Sequence, residues 1–186
     1  MPARMPRRLV MLLCLAVLAA VAGACGEADV KQGVDEPARE GIAVPLDGVD
    51  YNVFITRQLN TRITPDKAYV SEGTDQGKDE TLYGVFMQVC NRSDDTHETT
   101  DRFKIVDSQG NEFEPEELPE ENPFAYRAQE LPPEECIPEA GSVAQLGPTA
   151  GSMLLFRLPL ANTEFRPLEL EVQGSGEEHL KFELDI

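Results

Sequence analysis

The 186-residue sequence has no Trp, only two His, and 16 Lys and Arg against 34 Asp and Glu, for a net charge of −18. The shortage of positive charge argues against nucleic-acid binding, which needs a basic footprint on the phosphates. Two His and four dispersed Cys leave no H-x-x-x-H or C-x-x-C spacing, which argues against most zinc and copper centres. No apolar run is long enough for a comfortable membrane span of about 20 residues. The longest, Leu9–Val21, has thirteen residues. No Ser sits in a G-x-S-x-G elbow, and Gly174-Ser175-Gly176 lacks the third glycine of a nucleotide loop.

What is present begins with an address. Residues 1–24 carry Arg4, Arg7 and Arg8 and no acid, followed by the Leu9–Val21 run and the small residues Ala22, Gly23 and Ala24. This is the layout of a secretory signal, with Arg7-Arg8 read as an ordinary positive n-region. Cys25 follows directly, so the segment resembles a bacterial lipoprotein signal, although Ala22 stands where that pattern usually has Leu. A plain secreted protein, cut at the same place and left with a free Cys25, is the alternative. Cysteine parity bears on the choice. With Cys14 removed, Cys25, Cys90 and Cys136 remain, an odd set in an exported chain. Lipidation of Cys25 leaves an even pair. The expected location is the outer side of the cytoplasmic membrane, reached through an N-terminal lipid.

Residues 25–48 are acidic and poor in large apolar groups, and read as a flexible linker. From Val49 to Ile186 the dominant period is two. Tyr51, Val53 and Ile55 alternate with Asn52, Phe54 and Thr56. Tyr83, Val85, Met87 and Val89 alternate likewise, as do Phe103 and Ile105. Ser108-Gln109-Gly110-Asn111 reads as a turn, and Met153–Leu158 as an apolar strand. Leu168, Leu170 and Val172, then Leu180, Phe182, Leu184 and Ile186, alternate on either side of Gly174-Ser175-Gly176, the pattern of an antiparallel hairpin. The sequence therefore predicts an all-β antiparallel sandwich of about seven to eight strands.

Residues 115–148 hold seven of the fourteen prolines and form the irregular part. Cys136 lies there, and in an oxidising compartment Cys90 and Cys136 are expected to pair, pinning this stretch to the sheet. Phe124 and Tyr126, set among acids, make it the expected contact surface. The best ion-site candidates are Glu112, Glu114, Glu116 and Glu117, because calcium takes hard oxygen ligands. A solvated acidic face is the plain alternative. His97 and His179 read as solvated surface residues. No cofactor is expected.

Five blocks, in order and spacing, carry a resemblance to a family: Tyr51–Ile55, Tyr83–Asn91, Phe103–Phe113, Leu154–Pro159 and Arg166–Leu170. In these the chain resembles the telokin-like, immunoglobulin-like extracellular domains of bacterial lipoproteins, a domain family of unknown function. The resemblance implies an immunoglobulin-like sandwich displayed outside the membrane and brings no catalytic residues. The expected role is binding or assembly with a protein or other envelope partner, without enzymatic activity. Rival readings are a calcium- or cation-responsive envelope protein and an envelope hydrolase using scattered carboxylates.

Overall fold

A computed structural model describes residues 31–70, 74 and 76–186. Its elements are the strands β1 (Ala38–Arg39), β2 (Ala43–Leu46), β3 (Val49–Leu59), β4 (Glu80–Cys90), β5 (His97–Glu98), β6 (Phe103–Val106), β7 (Glu112–Phe113), β8 (Pro115–Glu116), β9 (Glu130–Leu131), β10 (Cys136–Ile137), β11 (Ser152–Pro159), β12 (Glu169–Gln173) and β13 (His179–Glu183). A single turn of α-helix, α1 (Val143–Leu146), and two short 3-10 turns complete them. The chain is all-β, as its period of two predicts.

The strands form two main sheets. Sheet 1 runs β1-β13-β12-β6-β7, and sheet 2 runs β2-β3-β4-β11-β8 with β10 added to β4. β5 and β9 pair separately. All pairings are antiparallel except β1 with β13. The expected hairpin joins β12 to β13, with Leu170 opposite Phe182. The sheets face each other across one apolar core, to which sheet 2 gives Val53, Val85 and Phe156 and sheet 1 gives Ile105, Leu170 and Phe182.

The two sheets differ on their outer faces. Sheet 1 shows water a ladder of charges, with Lys104 paired to Glu112 and Glu171, and Lys181 to Glu171 and Glu169. Sheet 2 is covered on both sides. Leu59, Leu82, Phe86 and Leu155 point outward and are buried beneath Tyr69, Leu118 and Phe124. This second small core explains why β4 and β11 are almost continuously apolar: a strand buried on both faces has no use for alternation.

Two expectations need correction. The linker read at 25–48 is largely folded: β1 pairs with β13, β2 pairs with β3, and Ala38, Val44 and Leu46 are buried. The hairpin between β2 and β3 turns on Asp47 and Gly48, both with positive φ (52° and 87°), the backbone of a two-residue type I′ turn. Residues 25–30 and the signal, with Cys25, lie outside the described residues. The second correction concerns β3, which does not alternate to its end. A bulge between Val53 and Ile55 shifts the register, so Thr56 turns inward and Ile55 is exposed.

The expected bridge is present. Cys90 and Cys136 form a disulfide with Cα atoms 4.1 Å apart, directly opposite each other where β10 pairs with β4. It holds the Pro-rich stretch against sheet 2. Among the described residues no helix is long and apolar enough to cross a membrane.

Candidate functional site

A groove of about 1020 Å³ runs along the side of the sandwich, between β6 and β12 of sheet 1 and the 114–118 and 125–128 segments beside sheet 2. Its existence follows from how the irregular stretch closes this side. After β7 the chain leaves sheet 1, and Pro115 begins β8 on sheet 2 opposite Phe156. The chain returns through Phe124 and Tyr126, which exchange backbone hydrogen bonds with Met153: Met153 N–H donates to Phe124 C=O and Tyr126 N–H donates to Met153 C=O. It then continues to β9, which pairs with β5.

The groove is anchored by a tyrosine pair. Tyr126 donates its hydroxyl to Thr100 C=O at 2.9 Å, and Tyr51 from β3 accepts Thr100 N–H at 3.0 Å. Both carbonyl and amide of one residue are thereby satisfied by two core hydroxyls. The Phe103 ring stands edge-on to both Tyr126 and Tyr51, at 5.2 and 6.4 Å between centroids. Burial raises the pKa of both tyrosine hydroxyls and makes them weaker acids, most of all Tyr126. They are neutral donors and acceptors with a positioning role.

The structure distributes the residues read from the sequence unevenly. Phe124 and Tyr126, expected at a contact surface, are packed inside their own domain. The Phe124 ring meets Tyr69 edge-on at 4.8 Å, and Tyr126 is 7% exposed. Their neighbours Ala125, Arg127 and Ala128 line the groove instead. The four candidate calcium ligands are split between sheets. Glu112 on β7 takes Lys104 at 2.6 Å, and Glu116 on β8 takes Arg157 at 2.8 Å. Glu114 and Glu117 line the groove and are exposed. Among the described residues no three His, Cys, Asp or Glu side chains gather as metal ligands. The reason is local: Pro115 breaks the strand between sheets, so the acidic run crosses the gap and does not fold around one point. His97 accepts or donates to Ser93 Oγ at 2.9 Å and fills the space over Gly48. His179 lines the far end of the groove.

Electrostatically the groove is acidic but partly compensated. Hydrogen bonding to Glu112 raises the Lys104 ammonium, with Glu171 adding to it. Burial works to raise Glu171, but Lys181 and Lys104 outweigh it and hold the carboxyl below its usual range. Asp101, Arg102, Gln173 and Glu177 also line the groove, and no motif in the sequence singles them out. Asp101 and Arg102 lead into β6, Gln173 ends β12 and Glu177 lies in the turn to β13, so the pairing of β6 with β12 and β12 with β13 brings them to one wall.

The fold and groove define an all-β sandwich with a lateral cleft. No family model matches the chain, and no curated protein matches it. Among solved structures, the yjhA protein from Bacillus subtilis is similar over 80% of this chain and 99% of that one, at 10% identity and a TM-score of 0.48.

Proposed function

We propose that this chain is a lipid-anchored cell-envelope protein whose β-sandwich is an interaction module and not an enzyme. The observation that carries the binding role is the lateral groove, which combines aromatic and aliphatic walls with a charged rim. The signal-like residues 1–24 and the position of Cys25 support export and anchoring. The Cys90–Cys136 bridge supports an oxidising compartment and leaves Cys25 as the odd thiol once Cys14 is removed with the signal. The immunoglobulin-like, telokin-like resemblance points the same way.

Two measurements test this reading. Cys25→Ser should move the protein from the membrane fraction to the medium or soluble fraction, and equal retention of the variant would refute anchoring through that residue. A photo-crosslinking residue placed at Ala128, on the groove rim, should capture a discrete partner in intact cells. The same residue at Glu36, an exposed site before β1, should not. Equal or absent capture at both positions would refute the groove as the binding surface.

A further inference from the structure

β6 is paired with β12 along its whole length, but β7 covers only Ile105 and Val106 on its other edge. Phe103 therefore has no strand partner on the groove side. The phase of the ladder shows where its backbone points. Gln173 N–H donates to Arg102 C=O, so the Arg102 carbonyl and, two residues on, the backbone groups of Lys104 face β12, while Arg102 N–H donates to Thr100 Oγ1. Phe103, which is 6% exposed, directs its N–H and C=O the other way, toward the groove it helps to line. Extending the β7 register by two residues would set Pro115 opposite Phe103. Proline has no N–H to donate, and the chain departs for sheet 2 at that residue. The groove thus contains a short open sheet edge, the kind of edge that natural proteins pair, cover or protect with charge.

The charge around that edge is one-sided. Six carboxylates and three Lys or Arg line the groove. Lys104 is engaged by Glu112 and Glu171, and Arg127 donates Nη2 to the carbonyls of Leu118 and Pro119. Asp101, Glu114, Glu117 and Glu177 have no ion pair among the described residues, and Arg102 and Arg127, also without ion pairs, are two cations against these four carboxylates.

We infer that the groove takes an extended basic segment of a partner protein, added as a strand to the free edge of β6 at Phe103, with its Lys or Arg side chains against Asp101, Glu114, Glu117 and Glu177. This rests on the reading of the domain as an interaction module and names the class of partner. Strand addition gives main-chain hydrogen bonds for affinity and alternate side chains for specificity. Ala125 and Ala128 on the opposite wall leave room for the inward-pointing set. A second copy of this chain is a poor occupant, because two chains of net charge −18 repel.

The test uses the full chain and a fluorescent alternating Lys–Thr peptide of about six residues, the length of an ordinary strand. Polarisation should show binding that weakens as salt rises, and none to the matching Glu–Thr peptide. The double variant Glu114→Lys/Glu117→Lys changes exposed residues without ion pairs. It should keep its Tm and bind about tenfold more weakly or worse. A Lys–Thr peptide N-methylated at alternate residues should lose binding by a similar factor, and the Phe103 amide should exchange more slowly in the complex. Equal binding by the N-methylated peptide would overturn strand addition, and equal binding by the charge-reversed variant would overturn the groove. No binding of the Lys–Thr peptide refutes the whole inference. If crosslinking from Ala128 captures a partner while the peptide fails, the interaction module stands and the basic strand falls. If both fail, both readings fall.

Discussion

Asp107 gives the most direct link between a single carboxylate and stability. It follows β6 at the turn into β7 and is 4% exposed. Its carboxylate accepts four hydrogen bonds: Oδ1 from the N–H groups of Gln109 and Asn111, both at 2.9 Å, and Oδ2 from the side-chain amides of Asn111 and Asn162, at 2.8 and 3.0 Å. Burial alone would raise this carboxyl, but the Asn162 and Asn111 bonds, with the two backbone N–H groups, hold it down at about 2. Against an unfolded value near 3.9, the full shift corresponds to roughly 2–3 kcal/mol of folding free energy. The turn lies at the surface, so solvent screening trims this to about 1–2 kcal/mol. Because the folded carboxyl is depressed, the contribution is complete above the unfolded pKa and is lost as pH falls through the folded one. Asp107→Asn removes the charge and sets an amide N–H₂ against two other amide donors, so at neutral pH it should cost about 3 kcal/mol. Urea unfolding of both proteins from pH 7 to pH 2 measures this directly. The gap between them should be constant down to about pH 5 and shrink by roughly 1–2 kcal/mol below it. A gap unchanged across the range would refute the argument that these hydrogen bonds favour the ionised form.

Three further outcomes follow from packing and covalent structure. Replacing both Cys90 and Cys136 by Ser frees a separation of 46 residues, which the chain-entropy relation values at about 4 kcal/mol; denaturant midpoints measure the loss, and alkylation mapped to Cys90 and Cys136 in the untreated parent would refute the bridge. Leu46→Ala should cost about 2–4 kcal/mol in urea unfolding, because Leu46 is 4% exposed in the two-sheet core; a neutral result would restore the reading of this stretch as a tether. Tyr126→Phe keeps the ring against Phe103 and removes the bond to Thr100 C=O, so it should cost about 1–2 kcal/mol and speed amide exchange near Thr100; unchanged stability and exchange would show that this hydroxyl does not hold the groove's inner wall.

The fold was legible wherever one strand face is wet. β12 and β13 alternate cleanly because sheet 1 turns its Lys and Glu ladder to water, and their hairpin follows from that pattern. β4 and β11 are less regular in sequence because Tyr69, Leu118 and Phe124 cover the outer face of sheet 2, and nothing local announces that cover. The folded part of the expected linker did carry a signal. Val44 and Leu46 alternate with Ala43 and Pro45, and Asp47-Gly48 is the dipeptide that a type I′ hairpin turn requires. The acidity and two prolines of 25–48 mask these two short cues. The groove was less legible still. By residue type Phe124 and Tyr126 suit a contact surface, but an aromatic in an irregular segment packs inward as readily as outward. Which way each points depends on Met153 and Tyr69, residues distant in sequence.

The −18 charge also reads differently once the pairs are known. On sheet 1 the carboxylates of Glu112, Glu169 and Glu171 are matched by Lys104 and Lys181, so that face contributes solvation and little net field. On sheet 2, Glu80 and Glu116 share Arg157. The carboxylates without ion pairs at Asp101, Glu114, Glu117 and Glu177 surround the one stretch of β6 edge that no strand covers. Charge beside an open edge has two physical effects. It discourages pairing with the edges of other acidic chains, and it lowers the free energy of a basic strand at the same place. Both effects depend on the same four side chains, so Glu114→Lys/Glu117→Lys should weaken the basic peptide and, at high protein concentration, make the domain more prone to associate with its own acidic copies. Sedimentation of the variant beside the parent separates these. Lost peptide binding with new self-association would fit a charge-protected edge, whereas a change in neither would leave the groove without an electrostatic role.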